Sequence, residues 1–265
     1  MSAHISKFIV LGVVFLLLST TLFSQTPAKA ESEMLEALGR IGKFGSYLGN
    51  YDEEKSTKAN DDLRSLLVRE GKHQNTLKYP FAKLKKEMDV VTSRDGKLRI
   101  YSWDMSTGGT MHDFDCVFQF QGQSGRVNTW ACSSNRGDDV GGGSEYLHVF
   151  DVSSKTGIIY LANSRFIGDG QDHGQAIEAY RITGDELEKK PKVIKTNSGL
   201  TNLVSFAYSP FTIEKGDEGT LVSFDTRTTS FRFPVVIDEV GSGGGRVTNR
   251  YITYRFNGKY FEKVK

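Results

Sequence analysis

The chain has 265 residues, of which 34 are Lys or Arg, 32 are Asp or Glu and 11% are aromatic. This composition is typical of a folded domain and excludes a largely disordered chain, which would contain few aromatic residues. The charges are nearly balanced and no run of Lys and Arg forms a basic stripe. We therefore expect no nucleic-acid partner.

The first 30 residues predict a secretory signal peptide. Lys7 precedes an unbroken apolar run over residues 8–18, and Ala28-Lys29-Ala30 supplies the small residues of a cleavage site. As a helix the run would span about 16 Å, against about 30 Å of hydrocarbon core, so it predicts export rather than a membrane span. We expect an exported protein, periplasmic or extracellular, with no stable membrane insertion after cleavage.

The two cysteines predict a disulfide bond. Cys116 and Cys132 lie in two predicted strands, residues 114–121 and 126–132, on either side of a glycine-containing turn at residues 122–125. Folding this hairpin places the cysteines opposite each other, at a separation that a disulfide tolerates, and export favours oxidation. Two buried free thiols are the alternative.

Residues 31–88 predict a helical segment. Met34, Leu38 and Ile41 recur at helical spacing, and Asn60 is expected to be the N-cap of a second amphipathic helix. The polar residues 52–58 are expected to form the loop between the two helices. Together these features predict an N-terminal α-helical hairpin.

Residues 89–265 predict an antiparallel β domain, because after Met88 the hydrophobic period changes to two. Many short strands separated by turns favour a β-meander that is a sandwich, a barrel or propeller-like, so the fold class is mainly β. The predicted strands cover residues 98–103, 114–121, 126–132, 146–152, 158–164, 176–182, 203–213, 220–225, 230–236, 247–255 and 260–264.

Three sequence blocks carry a resemblance. Residues 92–104 read TSRDGKLRIYSWD, residues 108–112 read GGTMH, and residues 254–262 read YRFNGKYFE. In these blocks the chain resembles a family of uncharacterised exported bacterial proteins. The resemblance implies export and a shared fold, and it supplies no activity or catalytic residue.

The densest group of acidic and imidazole side chains is Asp104, His112, Asp113 and Asp115, after Trp103. A carboxylate beside an imidazole can act as an acid and base pair, so these four are the candidate catalytic residues. Alternatively, the loop joins two strands and its Asp residues cap turns.

A second acidic loop contains Asp169, Asp172 and His173. Carboxylates on a glycine-rich loop suit calcium, but the order of ligands in an EF-hand is absent. Exposed turns explain the same residues. We therefore expect no metal and no cofactor, and keep these three residues only as weak metal candidates.

Two aromatic residues, Tyr101 and Trp103, share one face of a predicted strand. An exposed aromatic face would bind glycans or peptide strands, whereas a buried one would be core. The sequence favours a binding module for an envelope protein or a glycan. A hydrolase that uses the Asp and His residues after Trp103 is the alternative, so the sequence leaves open whether the protein is an enzyme.

Overall fold

The computed structural model of the protein describes residues 26–132, 143–213, 218–238 and 244–264. Its N-terminal part is helical and the remainder is mainly β. The helices are α1 Pro27–Phe44, α2 Glu53–Glu70 and α3 Gln74–Lys78, with short 3₁₀ turns at Ser46–Leu48, Leu84–Lys86, Pro210–Thr212 and Glu218–Thr220.

The β region is built from short strands joined by turns. The strands are β1 Asp89–Thr92, β2 Leu98–Asp104, β3 Phe114–Gln121, β4 Val127–Ala131, β5 Glu145–Ser154, β6 Gly157–Ile167, β7 His173–Thr183, β8 Glu186–Glu188, β9 Ile194–Thr196, β10 Gly199–Thr201, β11 Leu203–Tyr208, β12 Ser223–Asp225, β13 Ser230–Ile237, β14 Arg246–Phe256 and β15 Phe261–Lys263.

The strands form three open sheets. Sheet A has the order β1-β2-β3-β4, sheet B the order β11-β7-β6-β5 with β8 also paired to β7, and sheet C the order β10-β9-β15-β14-β13-β12. Pairing is antiparallel throughout the described residues except between β15 and β9. The predicted class, mainly antiparallel β with helices at the N-terminus, is confirmed, and within the described residues no sheet closes into a barrel.

The hydrophobic core consists of three clusters, each of which lies between two neighbouring layers of the fold. Met34 and Leu63 of the helices pack with Trp103 on one face of sheet A. The other face of sheet A packs through Phe118 against sheet B. Sheet B in turn packs its second face through Leu161 against sheet C. The order of layers is therefore helices, sheet A, sheet B and sheet C, and the two middle sheets are covered on both faces.

Helix α1 begins upstream of the predicted cleavage junction. Thr26 caps the helix, Pro27 occupies the first position, and Ala30 is fully buried. The Glu31 carboxylate accepts hydrogen bonds from the backbone N–H groups of Lys83 and Leu84, at 2.9 and 3.0 Å. Cleavage after Ala30 stays a prediction.

Helix α2 corrects the predicted helical boundary. It starts at Glu53, with Asp52 as N-cap, so residues 52–58 are not a loop and Asn60 is not a cap. Asn60 lies inside the helix, fully buried, and its Oδ1 accepts the Trp103 indole N–H at 2.9 Å. Its Nδ2 donates to the Met105 carbonyl at 3.0 Å. The tertiary contact to sheet A, rather than helix capping, accounts for this asparagine.

Buried polar side chains join the helical layer to sheet A. Arg99 Nη1 donates to the carbonyls of Thr76 at 2.8 Å and Tyr79 at 2.9 Å. Gln119 Nε2 donates to the carbonyl of Gly71 at 2.8 Å. Both side chains come from sheet A and donate to backbone carbonyls near the C-terminal ends of α2 and α3. They fix where the helices lie on the sheet.

The predicted disulfide is confirmed. Cys116 lies on β3 and Cys132 directly follows the neighbouring strand β4, with their Cα atoms 5.2 Å apart. The Cys132 N–H donates to the Cys116 carbonyl at 2.8 Å, which continues the strand pairing up to the bridge. Of the helices that the structure describes, none is both long and apolar enough to cross a membrane.

Replacing Arg99 by Lys should destabilise the protein. An ammonium group cannot reach both carbonyls in the fork geometry of a guanidinium, so at least one buried acceptor would lose its partner. We expect the free energy of unfolding, measured by urea denaturation, to fall by about 2–4 kcal/mol. Arg126→Lys, at a side chain that is 68% exposed, is the control. A loss at Arg99 no larger than at Arg126 would contradict this role.

Candidate functional site

The loop between β2 and β3 is held against the end of α1. The Met105 N–H donates to the Asp113 carbonyl at 2.8 Å and closes the base of the loop. The Ser46 N–H donates to the Ser106 carbonyl at 2.8 Å, and a Cβ on Gly45 would lie 2.4 Å from the Ser106 Cβ. This close approach requires glycine at position 45. It brings the turn after α1 to the side chains of the loop.

Asp104 and His112 converge, together with Tyr47. His112 Nδ1 lies 2.5 Å from Asp104 Oδ2, and the Tyr47 hydroxyl lies 3.1 Å from both Asp104 oxygens. The Ser106 N–H donates to Asp104 Oδ1 at 2.8 Å. The carboxylate thus holds the imidazole through Nδ1, which leaves Nε2 as the basic nitrogen of the neutral ring. We call the pair of Asp104 and His112, together with the adjoining Tyr47, the dyad site.

Tyr47 is a member of this group that the sequence did not indicate. Its ring centroid lies 5.2 Å from that of His112. Burial and the negative charges of Asp104 and Asp113 raise the pKa of the Tyr47 hydroxyl. The tyrosine is therefore a neutral hydrogen-bond donor to Asp104 at physiological pH.

The other two candidate catalytic residues have different partners. Asp113 Oδ2 accepts the Thr107 hydroxyl at 3.0 Å, a contact within the loop. Asp115 is fully buried and accepts Arg64 Nε at 2.6 Å, in an ion pair between sheet A and α2. Asp113 therefore stabilises the loop and Asp115 the docking of a helix, and neither is hydrogen-bonded to the dyad site.

An open groove lies beside the dyad site. It has a volume of about 560 Å³. Asp104 and Ser106 form one side of the groove, and the partly buried Leu35 and Leu38 of α1 form the other. A ligand in this groove would contact an apolar wall and a hydrogen-bonded carboxylate.

Tyr101 and Trp103 do not form an exposed ligand face. They are 1% and 2% exposed and belong to the core between the helices and sheet A. The Tyr101 hydroxyl donates to Gln119 Oε1 at 2.9 Å, so both of their polar atoms are used internally. The prediction of an aromatic binding face at these residues is wrong, because the helices cover this side of the sheet.

The weak metal candidates also have local partners. Asp169 Oδ1 accepts the backbone N–H groups of Gln171 and Asp172 at 2.6 and 2.8 Å, which makes a tight turn. His173 Nδ1 lies 3.1 Å from Glu218 Oε2. Within the described residues, no three His, Cys, Asp or Glu side chains are grouped as metal ligands.

Glu218 is the centre of a polar cluster at one end of sheet B. Its Oε2 lies 3.0 Å from Arg165 Nη1, 3.1 Å from His173 Nδ1 and 3.2 Å from the Tyr208 hydroxyl. Arg165 Nε donates in addition to Glu145 Oε2 at 2.7 Å. These contacts hold the turn containing Glu218 against β5, β6 and β7.

Glu145 is also hydrogen-bonded to Asp89, at the start of β1. Burial, this hydrogen bond and the charge of Glu145 raise the pKa of Asp89 to about 7, and Arg165 opposes the shift. Two carboxyl groups in contact cannot both ionise without cost, so they share a proton below that pH. This pair joins the edges of sheets A and B.

A second cleft opens between sheets A and B, with a volume of about 590 Å³. Its aromatic lining comes from Trp130 on β4, Tyr146 on β5 and Tyr180 on β7. Glu178 adds a negatively charged side chain to this lining, and Lys189 adds a positively charged one. We call these five residues the aromatic cleft. No local sequence pattern indicates this cleft, because its residues come from four separate segments.

Polar groups inside the aromatic cleft are linked. The Tyr180 hydroxyl donates to Glu178 Oε2 at 2.7 Å and lies 3.2 Å from the Tyr146 hydroxyl. Burial raises the pKa of Glu178, against the effects of the Tyr180 hydrogen bond and the charge of Lys190. Lys189 Nζ lies 4.5 Å from the centre of the Trp130 ring. The Cys116–Cys132 disulfide lines the same cleft.

Comparison of the chain with family models, curated proteins and solved structures finds no match. A functional proposal therefore rests on the chemistry of the dyad site and the aromatic cleft.

Replacing Asp89 by Asn should change how stability depends on pH. The folded-state pKa of about 7 lies above the usual pKa of an aspartate, 3.8, so the folded protein keeps a proton that the unfolded chain releases. The wild-type free energy of unfolding should therefore fall as pH rises from about 4 to 7, and then level off. Asp89→Asn removes this titration and should be more stable than wild type at pH 8.

Urea denaturation at pH 4.5 and pH 8 measures the difference. Asp172→Asn is the matched control, because it makes the same substitution in the turn between β6 and β7. If Asp89→Asn and Asp172→Asn change stability equally at both pH values, the raised pKa of Asp89 is contradicted.

Proposed function

We propose that the protein is an exported binding module that holds a glycan in the aromatic cleft. The observation that carries the proposal is the combination, in one cleft of about 590 Å³, of the partly exposed Trp130 ring with the half-buried Glu178 carboxylate, above the buried Tyr146 and Tyr180. Small-ligand sites typically occupy about 300–1,000 Å³ and combine apolar walls with a few polar groups.

The chemistry of the cleft suits a sugar ring. The partly exposed Trp130 ring would contact the apolar face of the sugar, while Glu178 would accept hydrogen bonds from its hydroxyls. The Glu178 carboxylate is already held by Tyr180 at 2.7 Å, so little side-chain entropy is lost when a ligand binds. Lys189 and Lys190 at the rim supply donors for further hydroxyls.

Trp130 provides a direct measurement of binding. The chain contains two tryptophans. Trp103 is 2% exposed beneath the helices, whereas Trp130 lines the cleft. We expect a neutral oligosaccharide from a panel of chitotetraose, cellotetraose and maltotetraose to shift the tryptophan emission, and the shift to be absent in Trp130→Phe. A change that persists in Trp130→Phe would place the ligand elsewhere.

Glu178→Gln should weaken binding of the same oligosaccharide about tenfold, because a charge-assisted hydrogen bond becomes a neutral one. Glu186→Gln, an exposed carboxylate on the neighbouring β8, is the matched control. Isothermal titration calorimetry measures both. Equal affinities of Glu178→Gln and wild type, or no binding of any member of the panel, would contradict the proposal.

The dyad site favours a second candidate function, a hydrolase. The 2.5 Å contact between His112 Nδ1 and Asp104 Oδ2 orients an imidazole whose Nε2 would take a proton from an attacking water. In the described part of the chain, no serine, threonine or cysteine side chain is hydrogen-bonded to His112. The chemistry would thus be general-base hydrolysis without a covalent intermediate.

A hydrolase of this kind should lose activity on a p-nitrophenyl ester by about 10²-fold or more in His112→Ala. His148→Ala is the control, because His148 is exposed on β5 and its ring contacts the Gly219 carbonyl. Initial rates of p-nitrophenol release measure the effect. Equal rates in both variants would remove this candidate.

A further inference from the structure

Within the described part of the chain, one face of sheet C has no covering layer. Its inner face packs Phe231, Phe233 and Tyr254 against sheet B. Because side chains alternate along a strand, the residues between them point the other way. Arg232 on β13 and Arg255 on β14 therefore lie on the outer face, and both are exposed.

This outer face contains a basic depression of about 610 Å³. Arg232, Arg255 and Arg227, the last from the turn between β12 and β13, contribute three guanidinium groups. We call these three residues the arginine cup. Five hydroxyl side chains complete its lining, namely Ser223, Thr226, Thr228, Ser230 and Thr253.

Arg232 is held in place within the cup. Its Nε donates to Ser223 Oγ at 3.0 Å, and its guanidinium carbon lies 4.5 Å from the centre of the Tyr251 ring. These contacts leave both terminal NH₂ groups for another acceptor. A guanidinium fixed in this way binds an oxyanion at little entropic cost.

The charge in the cup is unbalanced. Asp225 is the one carboxylate in the described lining, and it lies 3.5 Å from Arg227 Nε. Glu262 is the strand partner of Arg255. Even so, within the described residues neither Arg232 nor Arg255 forms an ion pair at 4.0 Å or less. Among the described residues, two exposed guanidinium groups therefore share a concave surface without a carboxylate within 4.0 Å of either.

We propose that the arginine cup binds the anionic groups of an acidic glycan. Guanidinium groups match the paired oxygens of carboxylate or sulfate, and the hydroxyls around them match the hydroxyls of the sugar backbone. A single-stranded nucleic acid would need an aromatic platform for its bases. Of the aromatic rings described at the cup, Tyr251 is covered by Arg232, and Phe224 stacks on Phe150 against the core. The cup and the aromatic cleft use different residues, so this proposal does not depend on the first.

The test uses the full chain and immobilised polysaccharides. Polygalacturonate tests carboxylate groups, heparin tests sulfate groups, and dextran is the uncharged comparison. We expect binding to one acidic polymer, no binding to dextran, and a loss of affinity when NaCl is raised from 50 to 300 mM. Arg255→Gln and Arg232→Gln should each weaken binding at least tenfold.

Arg126→Gln and Arg94→Gln are matched controls, since both remove one exposed positive charge from another part of the surface. They should leave affinity within twofold of wild type. Arg255 has no described side-chain contact to lose, so Arg255→Gln separates binding from any change in stability caused at Arg232. The binding of neutral oligosaccharides to the aromatic cleft should be unchanged in all four variants.

Three results would overturn the proposal. Losses at Arg94 or Arg126 as large as at Arg255 would show a general charge effect. Binding of oligo-dT as tight as that of the acidic polymers would identify a nucleic-acid surface instead. The third result is competition by inorganic phosphate or sulfate at the same affinity per negative charge as the polymer. That result would show that the cup binds small anions and not a glycan.

Discussion

The arrangement of the helices on sheet A depends on the contacts of one buried group, the guanidinium of Arg99. It donates to the carbonyls of Thr76 and Tyr79 and lies 5.4 Å from the centre of the Phe81 ring. The docked helices cover Trp103 and bring Tyr47 to Asp104. A shift of the helical layer would therefore expose one face of sheet A and would also move Tyr47 away from Asp104.

Local patterns predicted the β hairpins well and the short polar strands poorly. The hairpin of β3 and β4 was predictable because two apolar runs flank a glycine-containing turn. Strands β9 and β10 were missed, since three residues are too few to show a period. The last hairpin joins β14 to β15 through a turn at residues 257–260, in which the Asn257 side chain accepts the Lys259 and Tyr260 N–H groups.

The candidate sites show the same contrast: contacts within one loop were predictable from the sequence, and contacts between distant segments were not. Asp104 and His112 lie on one loop, so their convergence was predictable. Tyr47 lies 57 residues before Asp104 and reaches it only because α1 docks on sheet A. The arginine cup draws Arg232 and Arg255 from two strands, and neither lies in a basic run. The pairing of β13 with β14 creates that concentration of charge, and no local sequence pattern shows this pairing.

The layers follow the order of the chain, and this has a consequence for folding from the N-terminus. The helices and sheet A end at Ala131, before the first strand of sheet B begins at Glu145. A nascent chain can therefore complete this first unit before the strands of sheet B are available. Until sheet B forms, Leu98, Ile100 and Phe118 of sheet A would face water. That apolar surface is where a holding chaperone would bind, and where premature association of two chains would begin.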